Sequence, residues 1–192
     1  MGFTPEPHRY GDKMSYIPSP EEALEIVKRY NKEDFHIQHA ITVGDVMAKF
    51  AEKYDADNVD YWKAVGIMHD LDFELYPDQH CVKTQQMMRE MDIDEDFIRS
   101  VASHGWGICV DIKPEKQMEK VLFAVDELTG LIGAAALMRP TGMEGMEVKS
   151  IVKKFKDKRF AAGCSRDIIK QGAEMLGMEL NELIGMTIEA MK

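Results

Sequence analysis

Six side chains that can bind a proton or a cation fall on apolar stretches of this 192-residue chain: His39, His69, Asp70, His80, His104 and Asp126. His39 shares a helical stripe with Val43, Val46 and Phe50, and His69 follows Trp62, Val65 and Gly66 on one face. His104 lies seven residues after Phe97 and three after Val101, and Asp126 sits inside VLFAVDELTG with apolar neighbours on every side. Burying such a group without a partner costs roughly 1–3 kcal/mol, and more if it is charged. A single histidine on an apolar face reads as a core histidine held by one hydrogen bond. Several imidazoles and carboxylates on separate helices are how a bundle assembles a metal site, and the ion's charge makes the buried carboxylates tolerable.

The elements that must position these groups read as helices throughout. Ser19-Pro20-Glu21-Glu22 supplies a cap, a first-turn proline and two acids at the positive end of the dipole, which predicts a helix to about Tyr30. Apolar residues at helical spacing predict a long helix over Asp34–Tyr54, and Asn58 is placed to cap the next one, reaching His69–Asp70. Asp78 is expected to cap a helix running through His80 to Met91, and Asp94 one that ends at His104 and Gly105. Residues 105–114 read as a loop, Glu115 to Arg139 as a long apolar helix, 141–147 as a linker, and the rest as three shorter helices, the second capped by Ser165. No strand pattern stands out. The expected fold is all-α: a compact helical bundle over residues 18–192 as a single domain, preceded by a loose arm over 1–17, with Met14 as an alternative start.

Composition narrows the function classes. A net charge of −10 disfavours the phosphate backbone as the main source of binding energy, so extended nucleic acid is not expected as a partner. Three widely spaced cysteines, Cys81, Cys109 and Cys164, form no CxxC and read as reduced thiols of a cytoplasmic protein. The N-terminus has no apolar signal core, and the longest apolar stretch, over 128–138, is too short to cross a membrane. The oligomeric state is not legible.

The order of the polar residues, H…HD…D, together with the flanks HAITVGDVMAKFA, AVGIMHDLDFELYP and LFAVDELTGLIGAAALMRP, resembles the HD-domain superfamily and its HDIG-type phosphohydrolase-like branch. The resemblance extends through the C-terminal VKSIVKKFKDKRFAAGCSRDIIKQGAEMLGMELNELI and departs from the HDIG letters at Leu71-Asp72. It implies metal ligation by His39, His69, Asp70 and Asp126, with His80 and His104 standing where two-metal members carry additional histidines and Asp70 as the bridging carboxylate. Mixed imidazole and carboxylate ligands suit Mn, Fe, Co, Ni or Zn better than Mg. One ion, or two ~3.5–4 Å apart, would activate water for hydrolysis of a small phosphorylated metabolite or nucleotide, with Asp70 orienting that water. The alternatives that go with the resemblance are a di-iron oxygenase and a non-catalytic metal or nucleotide sensor.

The segment 149–159 holds six basic residues against one acid and supplies candidate cations for a developing charge; Lys153 and Arg166 are the choices, beside the plainer reading of a solvated basic face. His36 reads as a surface histidine and His8 has no assigned role. Asp72 and Glu74 read either as an acidic turn or as groups positioning water. Glu127 is a candidate partner for a ligand histidine, and Cys81 is expected to pack and not to ligate. Trp106 is placed to stack on a base or to cover the pocket rim, and the fifteen methionines read as core filler.

Overall fold

The computed structural model describes residues 15–192, so the expectations about the arm up to residue 14, with His8 and the alternative start Met14, lie outside the described residues. Within the described residues the chain is all-α: nine α-helices, three short 3₁₀ turns, and two isolated bridges in place of any sheet. One of those bridges lies at the end of the expected arm. Tyr16 donates its N–H to Asp92 O and accepts from Asp94 N–H, which ties residue 16 to the turn before the fifth helix.

Helix α1 (Pro20–Tyr30) starts where its capping box demands: Ser19 Oγ accepts from Glu22 N–H while the Glu22 carboxylate accepts from Ser19 N–H. Helix α2 (Asp34–Tyr54) buries Val43, Val46, Met47 and Phe50 and carries His39 on the same side of the bundle. Helix α3 (Val59–Met68) is apolar nearly all round and ends just before His69. Asn58 does not cap it through its side chain; it donates instead to Asp55 Oδ1, and Trp62 Nε1–H donates to Asp55 Oδ2.

The crossing of α2 on α3 brings His39 and His69 together, and two glycines permit it. A Cβ on Gly66 would sit 2.8 Å from Met47 Cγ, 2.9 Å from Val43 O and 3.0 Å from Gly44 Cα. Two of those atoms are backbone, so the helices would have to part. Gly66→Ala is therefore expected to cost about 1–3 kcal/mol in urea unfolding, the usual penalty for overpacking. An unchanged midpoint would show that the crossing is looser than this contact implies.

Helix α4 (Val82–Glu90) begins later than the sequence suggests. Pro77–Gln79 forms a 3₁₀ turn, and Cys81 adopts φ 64° as the residue before α4, so His80 lies in a loop and not in a helix. Asp78 thus caps no α-helix. The cap is remote: Asp72 Oδ2 accepts from Thr84 N–H. Helix α5 (Glu95–Ala102), capped by Asp94, leads into the turn that carries His104.

Helix α6 (Gln117–Leu137) is the central element, buried along Val121, Leu122, Val125, Leu128 and Ile132. Helices α7 (Val148–Lys156), α8 (Arg166–Met175) and α9 (Leu180–Ala190) close the bundle. Gly172 lets α8 rest on α6, since a Cβ there would lie 2.5 Å from Ala124 Cα. Among the described residues no helix is long and apolar enough to cross a membrane.

Candidate functional site

All six ligand candidates meet at one place, supplied by α2 (His39), the end of α3 (His69, Asp70), the loop before α4 (His80), the turn after α5 (His104) and the middle of α6 (Asp126). Hydrogen bonding assigns the tautomers. His69 Nδ1–H donates to Gly66 O at 2.6 Å and His104 Nδ1–H to Val101 O at 2.6 Å. His80 Nδ1–H donates to Asp72 Oδ1 at 2.7 Å. Each neutral ring therefore presents its Nε2 lone pair to the others.

Those lone pairs converge. His69 Nε2 lies 3.2 Å from His39 Nε2, 3.1 Å from Asp126 Oδ1 and 3.1 Å from Asp70 Oδ2. His80 Nε2 lies 3.1 Å from His104 Nε2 and 3.3 Å from Asp70 Oδ1. Asp70 thus turns one oxygen toward His39 and His69 and the other toward His80 and His104. Acceptors packed at this separation with no donor between them repel, and only extra protons or a bound cation relieve that. His69, His80 and His104 are each fixed through the far nitrogen by a carbonyl or a carboxylate, as histidines that hold an ion are.

The electrostatics follow. Burial opposes a charge on His69, but the Asp70 and Asp126 carboxylates outweigh it and raise its pKa well above the ordinary 6.5. Burial opposes a charge on His80 as well, yet hydrogen bonds to Asp70 and Asp72 push it up to about 10. The carboxyls of Asp70 and Asp126 respond in reverse: burial would raise them, and the imidazoles beside them hold both below the ordinary carboxylate range. The cluster is not sealed, because the side chains of His39, Asp70 and Asp126 are 20%, 26% and 19% exposed.

Other candidates separate cleanly. Asp72, fully buried, orients His80 and caps α4, a role that neither an acidic turn nor a water-positioning group describes. Glu74 caps α2 by accepting from Lys32 and Glu33 N–H and holds His36 at 3.0 Å, so His36 serves this cap and lies outside the cluster. Glu127 accepts from Ser165 N–H and, among the described residues, makes no hydrogen bond to a ligand histidine; burial and then the neighbouring Asp126 push its pKa up to about 7. Trp106 packs beside Phe123 with Lys113 over its ring.

The buried Cys81 packs, as expected, yet its Sγ is 3.6 Å from His104 Nε2 and it groups with His80 and His104 as a possible donor. A Cβ on Gly105 would lie 2.6 Å from both the Cys81 and Cys109 sulfurs, so this glycine makes room for two thiols beside the imidazoles.

Arg166 corrects the expectation of an anion-steadying cation. Its guanidinium donates to the carbonyls of Lys154, Phe155, Asp157, Phe160, Ala161 and Cys164, which uses every N–H it has. It holds a turn of chain and has no donor left for a substrate oxygen. Lys153 stands exposed on α7, with no ion pair or hydrogen bond to the cluster among the described residues.

Comparison with known proteins redirects the functional reading. No family model matches the chain, and no solved structure matches it. A protein of Picrophilus torridus named tRNA (cytidine(56)-2'-O)-methyltransferase is 26% identical over 138 residues, which cover 65% of this chain and 40% of that protein. A protein of Thermoplasma volcanium with the same name is 21% identical over 181 residues, covering 92% of this chain and 53% of that protein. The chain spans about half the length, or less, of the curated relatives it matches.

These relatives overturn the assignment to the HD-domain phosphohydrolases, which rested on the order of a few polar residues and their flanks. Phosphoester hydrolysis of a small phosphorylated substrate is withdrawn, along with the di-iron oxygenase and sensor alternatives. The reaction for which the relatives are named transfers a methyl group to a ribose hydroxyl and needs no metal-activated water, so the expected Mn, Fe, Co, Ni or Zn cofactor is withdrawn too. The exclusion of extended nucleic acid also falls, because the relatives are named for action on tRNA. The physical reason is that net charge sums over the whole chain, whereas phosphate binding depends on local charge.

Proposed function

We propose that this chain takes part in the 2'-O-methylation of tRNA, as a helical unit over residues 18–192 whose His/Asp cluster handles the ribose hydroxyl. The observation that carries this reading is the match along 92% of the chain to a protein named for that reaction. The chemistry of the cluster supports it. A 2'-hydroxyl that attacks a methyl donor must give up its proton, and a solvent-reachable group of carboxylates and imidazoles is suited to receive it. Asp70, the most exposed of the two cluster carboxylates, is the acceptor we assign.

The same proposal keeps His39, His69, Asp70, His80, His104 and Asp126 together as that cluster, since their nitrogen and oxygen atoms converge within hydrogen-bond distance of one another. A cytoplasmic location goes with this reading.

The test is an unmodified tRNA transcript incubated with the chain and methyl-labelled S-adenosylmethionine, then digested and analysed for 2'-O-methylcytidine. Labelled 2'-O-methylcytidine is the expected product, formed roughly a hundredfold more slowly by Asp70→Asn if that carboxylate is the general base. Retention of tRNA without methyl transfer would narrow the role to binding. The absence of both retention and transfer would overturn the reading.

A further inference from the structure

We infer that the outer face of α7 and the turn after it form the surface that contacts the phosphate backbone of RNA; this rests on the tRNA reading above. The segment 149–159 carries six basic residues and one acid in a chain whose net charge is −10. Helix α7 buries Ile151 and Phe155 and turns Lys149, Lys153 and Lys156 outward on one stripe, at the i, i+4, i+7 spacing of a helix face.

Among the described residues the ion pairs of this segment engage Lys149, with Glu147, and Arg159, with Asp157 at 3.9 Å. Lys153, Lys156 and Lys158 are exposed and keep their charge for a partner. A solvated lysine face needs no fixed shape. Here the shape is fixed, because Arg166 draws in six carbonyls between Lys154 and Cys164, including that of Ala161 at φ 45°. The guanidinium that carries no substrate therefore has a function: it pre-forms a basic turn.

The turn also ends beside the cluster. Ser165 N–H donates to Glu127 Oε2 at 3.2 Å, one residue from Asp126, and a Cβ on Gly130 would lie 3.2 Å from Cys164 Sγ. The basic turn is thus joined to the helix that carries Asp126 of the His/Asp cluster. Phosphates recognised in this way are read for charge and not for sequence.

The test compares the intact chain with Lys153→Glu/Lys156→Glu/Lys158→Glu, and with Lys28→Glu/Lys49→Glu/Lys192→Glu as an equal charge reversal elsewhere. Retention of an unmodified tRNA transcript is measured across a salt series, with thermal melting to show that each protein is folded. Loss of three phosphate contacts predicts a salt slope shallower by about 2–3 and an affinity near 0.15 M salt lower by roughly a hundredfold. That result, with the second triple variant close to wild type, supports the proposal. Equal losses in both variants would reduce the effect to net charge and overturn it. Unchanged binding by the first variant would overturn the surface while leaving the tRNA reading intact. A wild-type chain that retains no tRNA overturns the tRNA reading itself, and retention of anionic vesicles in its place assigns the patch to a membrane and overturns the proposal.

Discussion

His69→Ala is expected to destabilise the protein by about 3–5 kcal/mol, measured by urea unfolding near neutral pH. His69 is fully buried, donates to Gly66 O, and lies between two carboxylates with its Nε2 3.1 Å from each. Removing the ring leaves Asp70 and Asp126 without the imidazole that holds both ionised, and opens a cavity where α2, α3 and α6 meet. An unchanged urea midpoint would show that His69 is not what holds the two carboxylates and the helix junction together.

Glu119→Gln is expected to cost a similar amount, about 3–5 kcal/mol, at a site remote from the chemistry. The Glu119 side chain is buried and accepts from Arg99 Nη1 at 2.6 and 2.7 Å, from Ser100 Oγ, and from the N–H groups of Glu115 and Lys116. One carboxylate thereby joins α5, the 106–116 loop and the first turn of α6, the helix that carries Asp126. Burial raises its pKa, but the two backbone donors and the Arg99 charge together win and leave it below the ordinary 4.5. A group depressed in the folded state stabilises above its unfolded pKa and loses that contribution as pH falls through the folded value. Wild-type stability should therefore decline on acidification below about pH 4.5 more steeply than that of Glu119→Gln. Parallel pH profiles would show that Glu119 is not the group responsible.

Much of the fold was legible because helices announce their own ends. The Ser19 box, the Asp94 and Ser165 caps and the 3.6-residue periodicity of α2 and α6 act within one or two turns of chain, so a linear reading captures them. The misreading around Asp78–Cys81 has a different origin. There the cap is Asp72, and Cys81 takes a left-handed conformation that its residue type does not signal. Arg166 was misjudged for the same reason. As a basic residue beside the 149–159 segment it reads as a free cation, while the carbonyls that saturate it lie on a turn whose path only the folded chain defines.

By itself the sequence determined the residue types: imidazoles and carboxylates on apolar faces, which burial makes costly unless something neutralises them. Tertiary structure decided how they combine. The Gly44–Gly66 crossing brings His39 against His69, the Cys81 turn aims His80 at His104, and Asp70 divides its two oxygens between the pairs. Residues up to 87 positions apart meet within hydrogen-bond distance, as His39 and Asp126 do. Periodicity within one helix carries no information about which face of another will cover it, so the site was visible in the sequence as a set of parts and became a geometry only in the folded chain.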